Sequence, residues 1–219
     1  KAKLMMGMIN KTDKLDVHGL NRLQRNGTLP TVWIAPGELR DLRELTRTRI
    51  TVARQRTRLK NRISSTFSKY GLTLEEYSDM YGKKAREELN KLLDQLPPQT
   101  KYVTEALLQQ LDVVEEQIDG MEKRLQELVK VTPAIQLLMT MPGVGFILAT
   151  AIAWEVGDIS RFASASRLAA YAGTTPRVHA SGDKVHYGQM RSDVNHYLKW
   201  AFAEAGNSVA LNAVLTTRS

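Results

Sequence analysis

The 219-residue sequence contains no cysteine. That absence excludes a disulfide framework, a thiolate zinc site and a cysteine nucleophile together. Histidine is nearly as scarce, at four residues, too few for a histidine-rich metal centre. No apolar run approaches the roughly 20 residues needed to cross a bilayer, and no basic amphipathic stretch with an aromatic face offers a surface anchor. The N-terminus, KAKLMMGMIN, carries neither signal-peptide architecture nor an initiator methionine. The expectation is an intracellular chain without membrane contact, cut from something longer. Sustained alternation of apolar and polar residues is also missing, so strand signals are nearly absent and the fold class is mainly α.

What is present is positive charge. The formal net charge is +8, on a chain whose apolar fraction of 42% is ordinary for a globular protein with one good core or two small ones. Such a balance points to a polyanionic partner, nucleic acid before anionic membrane, and so to a cytoplasmic, nucleoid-associated protein. The excess is concentrated. From Arg47 to Arg62 every charged residue is cationic: Arg47, Arg49, Arg54, Arg56, Arg58, Lys60 and Arg62. A run of this kind is either a solvated helix face or a surface turned to phosphates, and the lack of interspersed acids makes Arg47, Arg54, Arg58 and Arg62 candidate nucleic-acid contacts.

Helical signals divide the chain. A first helix over about 3–25 should stop at Asn26-Gly27, a favourable C-cap pair. The extended stretch TLPTVWIAP follows, and Pro36-Gly37-Glu38 opens a long helix over about 37–70. After a break at LPPQ, residues 96–99, Leu107, Leu111, Val114, Ile118, Met121, Leu125 and Leu128 recur in steps of four and three. That heptad seam must pack on another helix, either the long basic helix of the same chain or the same segment of a second one; its narrowness favours dimerisation. Val131-Thr132-Pro133 marks a boundary, beyond which small residues dominate. Three regions result: 1–35, 36–131 and 132–219.

Three constellations could carry chemistry. MPGVGFILATAIAWE reads as a helix, a tight turn and a second, alanine-dense helix, the helix-hairpin-helix pattern, in which Gly143 and Gly145 would let the backbone approach a phosphate; close packing of two helices could require the same glycines. In HASGDKVHYGQMRSDVNHYLKW, a polar loop followed by the start of a basic helix, Ser181 lies beside Gly182 with His179, Lys184, His186 and Arg191 near in sequence. Serine becomes a nucleophile only with a base, a metal or a strongly electropositive site to support its alkoxide; without one it is a turn residue. In KTDKLDVHGLNRL, Asp13 and Asp16 lie three apart on one helix face, where they could share a magnesium ion or belong to an exposed, charge-patterned helix.

In this order and spacing, KTDKLDVHGLNRL, PGELRDLRELTRTRITVARQRTRLKNRISSTFSKYGL and MTMPGVGFILATAIAWEVGDISRFASASRLAAYAGTTPRVHASGDKVHYGQ resemble the transposases of the insertion sequence 110/116/902 family. The resemblance implies an RNA-guided DNA recombinase. Its RuvC-like domain would hold magnesium on a D-E-D-D acidic set, whose last two members Asp13 and Asp16 match, with 1–35 as the terminal part of that domain. Its helical middle would be a coiled-coil dimerisation region, so that the partners are DNA, a guide RNA and further copies of the chain. The C-terminal transposase domain, with its helix-hairpin-helix, would supply Ser181 as the nucleophile that becomes linked to DNA, with Lys184 and Arg191 among the cations facing it.

The sequence departs from that pattern in two places. The first Asp and the Glu of the acidic set have no counterpart and would lie before Lys1, so this fragment is expected to be inactive by itself. Where an arginine-rich helix is expected, QMRSDVNHYLKWAF offers Arg191 and Lys199 beside Asp193. A competing reading is a non-catalytic helix-hairpin-helix DNA-binding protein on a coiled-coil dimer, which needs no acidic set and leaves Ser181 in a turn.

Overall fold

A computed structural model describes residues 12–30, 32–73, 80–181 and 184–216. Two compact units divide the chain, 1–36 and 37–219. The architecture is mainly α, with one two-stranded sheet among the described residues.

In the first unit, α1 spans Asp13–Arg25. Thr12 caps it, its hydroxyl accepting from the Leu15 amide at 3.3 Å. Asp13 and Asp16 occupy the first turn and Arg22 and Arg25 the last, each charge opposing the helix dipole end it sits on. The helix stops at the expected pair: Gly27 turns left-handed (φ 65°), and the Thr28 amide returns to the Leu23 carbonyl. The expected helix over 3–25 is thus interrupted at Thr12, whose extended backbone (φ −137°, ψ 153°) starts α1 at Asp13 because its hydroxyl takes the place of a preceding carbonyl as acceptor; residues 3–11 lie outside the described residues.

The second unit is built on two long helices. α2, Gly37–Lys69, is 33 residues long, about 50 Å at 1.5 Å per residue. The shorter α3, Lys83–Leu93, precedes α4, Pro98–Leu128, which begins with proline where a missing N–H costs nothing. α4 runs antiparallel to α2, so that Arg49 meets Glu122, Lys60 meets Glu115 and Tyr70 meets Thr100. Leu111, Val114, Ile118 and Leu125 of the seam are buried, Leu111 packed with Ile63 and Phe67 of α2 and Val114 and Ile118 with Val52. Of the two partners the heptad pattern allowed, the seam thus takes the basic helix of its own chain. Of the seam's seven residues, Leu107 and Met121 remain half-buried and Leu128 exposed.

Beyond the predicted boundary come α5, Pro133–Met139, and α6, Phe146–Val156, joined by the turn around Pro142-Gly143. α7, Ala165–Ala172, is capped by Ser164 and ended by Gly173 at φ 73°. α8, His196–Thr216, closes a second core of Ile135, Val144, Ala149, Ile152, Ala172, Leu198 and Ala201. Between α7 and α8 the expected loop is instead an antiparallel ribbon: β1, Pro176–Ser181, pairs with β2, Lys184–Met190, in the register His179 to His186 and Ser181 to Lys184. The signal was there in short form. Val178 and Ala180, then Val185 and Tyr187, alternate with polar residues about a two-residue Gly182-Asp183 connection, a hairpin signature too brief to register as sustained alternation.

Candidate nucleic-acid interface

The cations of α2 do not act as one surface. Arg54, Arg58 and Arg62 recur every four residues, hence on one helix face, and all three are exposed. Arg54 lies over the Trp200 ring of α8 at 5.7 Å, whereas Arg58 and Arg62 make no ion pair among the described residues. Three of the other four are spent internally, Arg56 being half-buried without an ion pair among the described residues. Arg49 pairs with Glu122, and the Lys60 ammonium lies 3.1 Å from Glu115, so the acids missing between 47 and 62 are supplied by α4.

Arg47 points inward as well, which removes it from the stripe predicted to meet phosphate. Its Nε and Nη2 donate to the two oxygens of Glu155 at 2.6 and 2.8 Å, and its guanidinium also lies over the Tyr197 ring. Glu155, in α6, is 1% exposed. Burial alone would push its carboxyl pKa up; hydrogen bonds from Arg47 and Asn195 and the charges of Arg47 and Arg43 outweigh that and hold it below the ordinary carboxylate value. The Arg47 pKa is raised, first by its hydrogen bond to Glu155. Arg43 moves the other way because burial dominates: it donates to the carbonyls of Trp154 at 2.7 Å and Glu155 at 2.9 Å, with the Glu155 carboxylate farther off at 3.8 Å. Sequence reading missed this cluster, since a glutamate one residue from the end of a helix looks like a solvated terminus.

The two turn glycines separate. Gly143 sits at φ 78°, and a Cβ there would meet the Ser208 Cβ at 2.0 Å, so it is required by the packing of the turn on α8. Gly145 is the N-cap of α6, at φ −80° with open space around it. A cleft of about 390 Å³ lies beside the turn, but Glu122 and Glu204 line it together with Arg49. Its one arginine is already paired with Glu122, which makes the cleft a poor anion site.

Ser181 ends β1, with Lys184 as its cross-strand partner. The register sets His179 across from His186 and Val178 across from Tyr187, and along β2 alternation puts Lys184 and His186 on one face and Val185 and Tyr187 on the other. The ribbon stands in solvent: β2 is exposed throughout, Tyr187 at 73% and Val178 of β1 at 56%. Arg191, just beyond it, donates to Asp193 at 3.0 and 2.6 Å, and that hydrogen bond holds the Asp193 pKa at about 2. Its charge is therefore locally neutralised, leaving Lys184 as the cation nearest Ser181 in the ribbon's register.

Asp13, exposed, and Asp16, half-buried, share one turn of α1. Two carboxylates supply hard oxygen ligands of the kind magnesium takes but fall short of its octahedral set. No third carboxylate, histidine or cysteine gathers with them among the described residues. The described acids do not, by themselves, fit the ion. Nor is any described helix long and apolar enough to cross a membrane.

Residues 135–218 match the family model described as the transposase IS116/IS110/IS902 family, and residues 2–71 match the DEDD transposase model of the IS110 type. The chain is 30% identical over 179 residues to the transposase for insertion sequence element IS1111A of Coxiella burnetii, covering 80% of this chain and 48% of that protein. It is 25% identical over 210 residues to a probable family 20 transposase of Pseudomonas aeruginosa, covering 91% and 60%. A 73-residue stretch is 37% identical to the pilin gene-inverting protein of Moraxella bovis, covering 32% of this chain and 23% of that one. The chain thus spans about half the length of the curated relatives it matches across most of its own. Two family models, at either end and in the expected order, agree with the motifs quoted above: the chain belongs to the IS110/IS116/IS902 family of transposases.

Proposed function

We propose that this chain forms the helical and serine-bearing part of a DNA transposase that cuts and rejoins DNA through Ser181. The observation that carries the reading is the ribbon: a family member raises the candidate nucleophile on an exposed two-stranded arm, cross-strand from an exposed lysine. The cross-strand lysine would contribute to the electropositive neighbourhood that an attacking serine needs, while the base or metal would come from elsewhere. In the step itself, the Ser181 hydroxyl loses its proton to solvent or a base and its oxygen bonds to the scissile phosphorus. The bond from phosphorus to a deoxyribose oxygen breaks, and that oxygen takes up a proton. One phosphodiester replaces another, so the bond energy is kept for the reverse attack by a new strand end.

Arg54, Arg58 and Arg62 would hold the nucleic acid by its backbone, which fixes position without reading sequence. Sequence choice would then come from base pairing with a guide RNA, leaving the protein to recognise duplex shape. Magnesium would belong to an acidic set of which this chain carries only Asp13 and Asp16. Copies of the protein would associate through surfaces other than the α4 seam, against which α2 already packs.

Covalent trapping tests the reading. The full-length protein is mixed with guide RNA, DNA and magnesium, and protein–DNA adducts are resolved after denaturation. Wild type should give an adduct that maps to Ser181, and Ser181→Ala should give none while binding nucleic acid as before. An adduct retained in Ser181→Ala would sink the assignment. Tight binding with no adduct in either protein would favour the non-catalytic DNA-binding reading.

A further inference from the structure

An isolated two-stranded ribbon is marginal in water. Here β1 and β2 pair only with each other, so the orientation of Ser181 must be set at the ribbon's feet. The leading foot is short and tight. Gly173 ends α7 in the left-handed region, where a Cβ would come within 2.5 Å of the Val194 side chain, and the Thr174 amide and hydroxyl both donate to the Ala169 carbonyl, at 3.1 and 3.2 Å. The trailing foot is Asn195. Its backbone N–H donates to the Tyr171 carbonyl at 3.0 Å. Its side-chain amide donates to Glu155 at 2.7 Å and contacts the Tyr171 hydroxyl at 3.2 Å, and its side-chain oxygen accepts from the Leu198 amide at 3.0 Å to cap α8.

We propose that Asn195 is a positioning residue for the Ser181 ribbon, tying its trailing foot to the buried Glu155 carboxylate and so fixing the frame in which the serine is presented. The inference rests on Ser181 being the nucleophile. Glu155 is a firm anchor because Arg47 and Arg43 of α2 hold it as well, and the same asparagine clamps Tyr171, two residues before the leading foot. The two feet are thereby joined to each other and to the long basic helix. Nothing in this arrangement touches substrate. Its effect on the reaction is geometric, and displacements of about 1 Å at a reacting atom cost up to about 100-fold in rate.

Capping and anchoring can be separated at this one position. Asn195→Asp keeps the acceptor that caps α8, but loses both side-chain donations and sets a carboxylate against Glu155; Asn195→Ala loses cap and anchor together. Tyr171→Phe is a milder variant that removes only the hydroxyl contact. In the full-length protein with guide RNA, DNA and magnesium, three quantities are read: the rate of Ser181 adduct formation at saturating nucleic acid, nucleic-acid affinity, and amide exchange over 176–190 against α2 and α4. Asn195→Asp and Asn195→Ala should both slow adduct formation by about 10- to 100-fold, with faster exchange confined to the ribbon and affinity unchanged. Tyr171→Phe should move the same two readouts in the same direction by less. A wild-type adduct rate and unaltered ribbon exchange in Asn195→Asp would reduce Asn195 to a helix cap. Loss of protection through α2 and α4 as well would replace the local anchor with a general role in stability. If the wild-type protein itself forms no serine adduct, the nucleophile reading falls, and ribbon exchange alone decides whether Asn195 is the anchor.

Discussion

Arg47 and Glu155, 108 residues apart in sequence, form a two-pronged ion pair in which the Glu155 side chain is 2% exposed and the Arg47 side chain 32%. Removing the acid takes the carboxylate away from both Arg43 and Arg47, leaving Arg43 its two carbonyl acceptors and Arg47 the Tyr197 ring. Breaking a buried pair from one side costs about 3–5 kcal/mol, and the partial exposure of Arg47 puts Glu155→Ala at the lower end. Glu155→Gln, which keeps the shape and one acceptor, should cost less than Glu155→Ala. Urea unfolding of the three proteins at neutral pH checks the order.

The same pair gives a pH signature. Because the Glu155 pKa is depressed in the folded state, the unfolded chain binds the extra proton first. The stabilisation is present above the ordinary carboxyl range near pH 4.5 and disappears as pH falls through the lower folded value. Between about pH 5 and 3, wild type should lose more stability than Glu155→Gln, and the two unfolding midpoints should converge. Parallel curves over that window would show that Glu155 is not the titrating group.

Gly143 and Gly145 look equivalent in PGVG and should behave differently. Gly143→Ala combines a left-handed backbone with a collision at Ser208, two penalties of about 1–3 kcal/mol each. Gly145→Ala meets open space and should cost about 1 kcal/mol or less, the difference between glycine and alanine at an N-cap. Ser208→Gly in the Gly143→Ala background should recover the steric part, whereas Ser208→Ala should not, because the clash is with the Cβ. Thermal melting of the four proteins separates the two contributions.

What the sequence conveys and what it hides follow one line. Some local chemistry is legible: the stop at Asn26-Gly27 falls where expected, whereas Thr12, inside the expected helix over 3–25, proves to be the cap that begins it. The heptad seam is legible as an apolar stripe, although burial shifts it slightly, with Leu108 and Thr104 buried and Leu128 41% exposed. Long-range partners are not legible. Nothing local says that α4 will cover α2, or that Glu115, Glu122 and Glu155 will neutralise Lys60, Arg49 and Arg47. A cationic run counted along the chain therefore overstates the charge that reaches solvent, and the candidate interface contracts to Arg54, Arg58 and Arg62.

That contraction can be measured. Each cation that neutralises a phosphate releases a counterion, so its removal lowers the slope of log affinity against log salt by about one. Arg58→Ala and Arg62→Ala should each do so in the full-length protein while leaving its melting temperature nearly unchanged. Arg47→Ala should do the reverse, leaving the slope alone and lowering stability. A slope lowered equally by all three would return Arg47 to the nucleic-acid surface.

The seam offers the last test, of whether α4 is consumed within its own chain. Leu111 is fully buried, packed with Ile63 and Phe67 of α2. Leu111→Ala should therefore cost about 2–5 kcal/mol, the range for emptying a packed leucine site. If the contact is intramolecular, that cost will be the same at every protein concentration. If the seam instead joins two chains, mass action makes the unfolding midpoint rise with concentration and makes the variant dissociate before it unfolds. Urea titrations of wild type and Leu111→Ala across a hundredfold concentration range, read beside sedimentation, distinguish the two. Parallel, concentration-independent shifts are expected, because α2 of the same chain already packs against Leu111, Val114 and Ile118.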